Sequence, residues 1–221
     1  MSDLLPCVEI ETAPEPRCAV LWMHGLGADG YDFVDIVPAL GLRETSVRFV
    51  FPHAPLRPVT INRGMVMRAW YDVSDDRGVR REDETGVRAS QAQLEALIAR
   101  EKKRGVAAGR LVLAGFSQGG AMALHTALRH TERLAGVLAL SCFLPLAHLV
   151  AGEASAANGA TPVFMAHGVH DPLIPLARAH SARDTLAGLG YPIEWHEYPI
   201  PHSVSDTEIM DIGAWLARVL A

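Results

Sequence analysis

The sequence predicts an α/β fold, with a mostly parallel twisted sheet and helices on both faces. Three observations carry that prediction. Short apolar runs recur along the chain and read as buried strands. Amphipathic helical patterns lie between them. The alternation persists through all 221 residues, a length that suits one domain, taken here as 1–221.

The first edge strand is expected before Pro14. Buried strands follow at Ala19–Met23, Val47–Phe51, Leu111–Ala114, Val137–Leu140 and Pro162–Ala166. Ile193–Tyr198 is more mixed and suits the opposite edge. Val87, Leu94, Leu97 and Ile98 form one helical stripe, and Gly105 suits that helix's end. A second helix is expected after Gly119, through Ala121, Leu124 and Leu128. Pro175 fits the first turn of another. Ser205 and Glu208 form a capping box ahead of a last helix with the stripe Ile209, Ile212, Leu216 and Val219.

Composition narrows the function. Apolar residues make up 49% and charged residues 20%, as in a folded globular chain. With 20 Lys and Arg against 25 Asp and Glu, the net charge is −5. That argues against a nucleic-acid partner and against an electrostatic membrane anchor. The three cysteines, Cys7, Cys18 and Cys142, fit neither a zinc pattern nor a disulfide framework. The segment from Met1 to Pro16 lacks the basic and apolar regions of a signal peptide, so a cytoplasmic location is expected. Leu134 to Gly152 carries no Asp, Glu, Lys or Arg, but Pro145, Ser141 and His148 interrupt it. It reads as a strand and an apolar loop rather than a membrane span.

Sites in such sheets lie at the carboxyl ends of strands. Gly25-Leu26-Gly27-Ala28-Asp29-Gly30 matches a dinucleotide fingerprint. The acid that should follow the second strand is missing, since Phe51-Pro52-His53 stands there. Gly115-Phe116-Ser117-Gln118-Gly119 matches G-x-S-x-G between a strand and a helix, the context of a nucleophile turn. The bland alternative is a serine capping a helix at a glycine-rich turn.

A serine needs a base. His202 is the favoured one of ten histidines, because it lies in the loop after the last strand. His125 and His130 lie on a helix, and His196 lies inside a strand pattern. Asp171, in the loop after the penultimate strand, is the favoured acid. Asp206 is its rival, but it sits where helix ends favour aspartate anyway. The chain order Ser117, Asp171, His202 is that of α/β-hydrolases. Leu26 and Gln118 are the expected backbone N–H donors of an oxyanion hole. His24 is expected to brace the loop of Leu26.

These residues make the chain resemble the carboxylesterase and acyl-protein thioesterase family, also called the phospholipase/carboxylesterase family. The resemblance runs through Leu21–Gly27, Arg48–Pro55, Trp70-Tyr71-Asp72, Ala114–Ala121 and His167–Pro172. It implies an α/β-hydrolase fold without a large cap domain and a Ser117–Asp171–His202 triad with Leu26 and Gln118 as oxyanion donors. It also implies a serine carboxylesterase that needs no metal or other cofactor. Its substrates would be small-molecule carboxylic esters, extending to thioesters or lysophospholipids. A homodimer is compatible with it. Alternatives are an acyl-protein thioesterase and a non-hydrolytic protein of the same fold. Pro201, Arg63 and Ala69 depart from the family pattern, at places where Gly, Gly and Ser are common. Short to medium acyl chains are expected, in a groove lined by Phe143, Leu144, Trp70, Met65 and Leu173. Leu146, Leu149 and Val150 either share that wall or only cover the sheet.

Overall fold

The computed structural model describes residues 4–42, 45–76 and 79–221. In chain order the strands are β1 (Cys7–Glu11), β2 (Cys18–Met23), β3 (Val47–Pro52), β4 (Leu56–Val59), β5 (Met65–Arg68), β6 (Val73–Asp76), β7 (Val79–Glu82), β8 (Leu111–Phe116), β9 (Gly136–Leu140), β10 (Val163–Gly168) and β11 (Ile193–Tyr198). The α-helices are α1 (Glu84–Lys103), α2 (Gln118–Arg129), α3 (Ala147–Glu153), α4 (Leu176–Gly188) and α5 (Asp206–Val219).

Seven strands form the central sheet, in the order β1-β3-β2-β8-β9-β10-β11. Only β1 runs antiparallel to its neighbour in this sheet. The expected strands are all present, and β1 and β11 are the two edges. The central strands are buried on both faces, which is why they read as continuous apolar runs. Successive side chains alternate between two cores. Leu21 and Met23 face the layer of α1, α2 and α4, with Leu94, Leu97, Met122 and Leu186. Val20 and Trp22 face α5 and a 3-10 helix at Val34–Leu40, with Phe33, Ile212 and Trp215.

The α1 stripe is fully buried as expected, and Gly105 follows the helix at φ 97°. The α5 cap also forms. Ser205 Oγ accepts from Glu208 N at 3.2 Å, and the Ser205 N–H returns to the Glu208 carboxylate. The α5 stripe differs in detail. Ile212 and Leu216 are buried, Ile209 and Val219 are only half-buried, and Trp215 takes the deep position. The reason lies on β9, because a Cβ at Gly136 would come within 2.6 Å of the Trp215 ring. A missing side chain in the strand makes room for a large one on the helix.

The apolar stretch 134–152 becomes β9, a loop and the start of α3. Among the described residues, no helix is long and apolar enough to cross a membrane. Between β9 and β10 stand only α3 and a short 3-10 turn, so this connection carries no large cap. The hairpins β4–β5 and β6–β7 were not foreseen. The β4–β5 turn explains the departure at Arg63, which adopts φ 58° where glycine is common. A non-glycine residue there costs about 1–2 kcal/mol.

Two outcomes follow from the core. Trp215→Ala should destabilise the fold by about 3–5 kcal/mol, read as a lower urea midpoint, because neither β9 nor α5 can close the cavity. His125, wholly buried between α1 and α2, donates its Nε2–H to Gln91 Oε1 at 3.1 Å. Burial, and then the Arg129 and Arg88 charges, push its imidazole down to about 3. The unfolded chain therefore binds a proton that the folded chain refuses. The stability this histidine contributes is full above the ordinary value of about 6.5 and declines as pH falls from there toward about 3. The acid-side fall in urea midpoint should be shallower in His125→Gln.

Candidate active site

Ser117 sits at the sharp turn between β8 and α2, at φ 55° and ψ −119°. A non-glycine residue in that region stores strain of about 1–3 kcal/mol. The surrounding backbone holds it there. Its N–H donates to Leu140 O at 2.8 Å, and its carbonyl accepts the Ala121 N–H at 3.0 Å. A Cβ at Gly115 would lie 2.3 Å from the Gly119 backbone, and one at Gly119 would lie 2.2 Å from Met23 O. Both flanking glycines are therefore required for close backbone packing.

His202, in the loop between β11 and α5, places Nδ1 2.6 Å from Asp171 Oδ2. Its ring lies 4.7 Å from that of Phe116, the residue before Ser117. The loop returns to the sheet end because Gly168 has no side chain. A Cβ there would meet Pro201 O at 2.3 Å and Ile200 O at 2.4 Å. Asp171 is buried, and its Oδ1 accepts N–H bonds from Leu173 at 2.8 Å and Ile174 at 2.9 Å. Burial alone would raise its carboxyl. The bonds from Ile174, His202 and Leu173 outweigh burial and hold it below the usual carboxylate range. The rivals stand elsewhere. His196 stacks on Phe164 at 4.8 Å, within the sheet face, and Asp206 is exposed at the first residue of α5.

Leu26 lies in a turn in which the Ala28 N–H donates to Gly25 O at 3.3 Å, and Gly27 takes φ 81° at the third position. The Gly27 N–H donates to Arg68 O at 2.9 Å. The Leu26 N–H has no protein acceptor among the described residues. As the first residue of α2, Gln118 has an N–H without an intrahelical acceptor. His24 braces this loop. It is buried, with Nδ1 2.7 Å from Gly25 O, and Nε2 accepts from Ala54 N at 3.1 Å. That pattern fixes the neutral Nδ1–H tautomer, and burial pushes the imidazole down to about 4.

A cavity of about 370 Å³ opens over these groups, lined by Gly25, Leu26, Ser117, Gln118 and His202. Its remaining wall is Ala28, Asp32, Ile61, Asn62, Tyr71, Val73, Phe116, Phe143, Leu173 and Ile174. Of the expected groove residues, Phe143 and Leu173 stand here and three others do not. Trp70 is wholly buried beneath the site, where its indole N–H donates to His24 O at 2.9 Å. Met65 is exposed on β5, away from the cavity wall. Leu144 faces a separate depression beside α4. Leu146 and Val150 lie in the core with α2, and Leu149 packs against it. The segment after β9 mostly covers the sheet.

Sequence reasoning missed four contributors. The Gln118 side chain accepts from Trp70 N at 2.8 Å and donates to Tyr71 O at 2.8 Å. It ties the Ser117 turn to the segment Trp70–Tyr71 that leads into β6. Ile61 and Asn62 reach the wall from the unforeseen β4–β5 hairpin. His167, fully buried, places Nε2 2.9 Å from Ile174 O and 3.3 Å from Asp171 Oδ2. Burial lowers its basicity, and its Nε2–H donates to Ile174 O while standing close to the Asp171 carboxylate. The one sequence signal was a histidine four residues ahead of the aspartate.

The family model described as phospholipase/carboxylesterase matches residues 6–220. The chain is 37% identical to acyl-protein thioesterase 1 of Gibberella zeae, over 94% of this chain and 93% of that protein. It is 35% identical to acyl-protein thioesterase 1 of Yarrowia lipolytica, over 96% of each chain. The solved structure of Zea mays acyl-protein thioesterase 2 superposes with a TM-score of 0.87 at 25% identity, covering 98% of this chain and 99% of that one. Sequence and α/β-hydrolase fold agree from end to end, and the chain belongs to the phospholipase/carboxylesterase family of hydrolases.

Proposed function

We propose that the protein is a serine carboxylesterase acting on short to medium acyl esters through an acyl-enzyme, with thioesters as a second substrate class. The observation that carries this reading is the 2.6 Å bond from His202 to buried Asp171, beside the cavity that His202 shares with Ser117. In this reading Ser117 Oγ attacks the acyl carbonyl and gives its proton to His202 Nε2. In this reading the oxyanion forms against the N–H groups of Leu26 and Gln118, neither of which has a protein acceptor among the described residues. His202 then protonates the leaving oxygen or sulfur, and water repeats the sequence on the acyl-enzyme. Asp171 stays ionised and holds Nδ1–H in place.

The names of the fungal and maize relatives favour acyl-protein thioesters as an alternative substrate. The cavity supports the smaller substrates. Its volume of about 370 Å³ is near the low end for small-molecule sites.

Ser117→Ala should lower kcat on p-nitrophenyl butyrate by about 10⁴-fold or more while leaving the folded circular dichroism spectrum. His202→Ala should lose a similar amount, and the double variant little more. A larger loss in His196→Ala would overturn the base assignment.

Along a series of p-nitrophenyl esters from acetate to palmitate, kept below micelle concentrations, kcat/KM should rise at first and then level. Each buried methylene adds about 0.8 kcal/mol until the wall of Ile61, Tyr71, Val73 and Phe143 is covered. A steady rise to palmitate, with a jump at lipid interfaces, would contradict this open groove.

A further inference from the structure

The charge that lines the cavity is one-sided, and the Arg178 guanidinium stands behind the wall, 4.0 Å from the Phe143 ring. Asp32 is the one carboxylate on its wall, and no lysine or arginine lines it among the described residues. Asp32 is exposed at the rim, and Asp29 lies close enough to add to burial in raising the Asp32 carboxyl pKa. The Asp29 carboxylate is held by the Tyr31 N–H at 2.8 Å, which fixes a second negative charge behind the first.

The position of Asp32 relative to the reaction follows from ring contacts. The neighbouring Phe33 ring lies 5.6 Å from Phe116, and the Phe116 ring lies 4.7 Å from His202. The backbone that carries Asp32 thus packs on the His202 side of the cavity that both residues line. His202 must hand its proton to the leaving atom, so the leaving group lies on that side. The apolar residues Ile61, Tyr71, Val73 and Phe143 remain for the acyl chain.

We propose that Asp32 selects the leaving group by charge, accepting neutral or cationic alcohols and thiols and repelling anionic ones, phosphate-bearing groups included. This rests on the reading of Ser117 and His202 given above. A rim carboxylate acts through water, so its effect is modest and sensitive to salt. A unit charge about 5 Å away changes the rate by about fivefold for each sign.

The test uses butyrate esters of choline, 2-methoxyethanol and glycolate, which carry cationic, neutral and anionic leaving groups. The readout is the kcat/KM ratio of choline ester to glycolate ester. Comparing variants cancels the intrinsic reactivity of each ester. Asp32→Asn should lower the ratio by about tenfold or more, and Asp32→Lys should lower it further. About 0.5 M salt should shrink the wild-type ratio toward that of Asp32→Asn. Glu132→Gln, which removes an equal charge at an exposed site paired with Lys102, should keep the wild-type ratio. The proposal is overturned if both Asp32 variants keep the ratio within about twofold of wild type, or if Glu132→Gln lowers it as much as Asp32→Asn. If none of the three esters is turned over, the hydrolytic reading itself falls and this inference falls with it.

Discussion

Everything at this site depends on how closely three backbone segments can approach one another. The end of β8, the start of α2 and the end of β2 meet where Gly115 and Gly119 have no side chains. A single methyl group on Gly119 would overlap Met23 O at 2.2 Å. Only with that contact in place can Ser117 be held at φ 55°, with its N–H on Leu140 O. The energy of the strained residue comes from the surrounding core, whose strands are buried on both faces. The turn also places the first amide of α2 beside the loop after β2, so proposed nucleophile and proposed oxyanion donors share one origin. A shift of either strand would move both.

A second layer keeps that origin fixed. His24 joins the β2 loop to Ala54 after β3, and Trp70 reaches His24 O with its indole N–H. Gln118 joins Trp70 and Tyr71 to the turn, and the Ser90 hydroxyl donates to Trp70 O from α1. Each of these polar groups is buried, so each bond lost would leave a partner unsatisfied at about 1–3 kcal/mol. The segment Trp70–Tyr71 is therefore a strut as well as a wall. This is the physical reason why Trp70, apolar and close in sequence to the groove residues, presents nothing to a substrate.

The strands, the two sheet edges and the loops that carry Ser117, Asp171 and His202 were legible because they follow local rules. Apolar runs mark buried strands, and loops at strand carboxyl ends carry the polar residues. The groove was less legible. Met65, Leu144 and Trp70 are apolar and near the right loops, but sequence does not say which way a side chain turns. The hairpin residues Ile61 and Asn62 were invisible for another reason. Their turn uses Arg63 and Gly64 at positive φ, and an arginine there gives no turn signal. Trp215 was missed on α5 because its place depends on Gly136, a residue 79 positions away in the chain. Local pattern reads one partner at a time, and packing is decided by both.

The environment of Asp171 shows why a buried acid can serve a histidine without taking its proton. Two backbone amides occupy Oδ1, and Oδ2 faces both His202 Nδ1 and His167 Nε2. The Ile174 amide, the His202 Nδ1–H and the Leu173 amide stabilise its charge against the cost of burial, which is why its pKa falls despite enclosure. A carboxylate held this way is a weak base. The proton on Nδ1 therefore stays with the imidazole, and Nε2 is the nitrogen left for the proposed proton exchange with Ser117 and a leaving group. His167 stands beside Oδ2, and its burial disfavours its charged form. The loop from His167 to Ile174 thus acts as one unit, in which a buried histidine, two amides and a glycine at 168 set the acid, its charge and the path of the His202 loop.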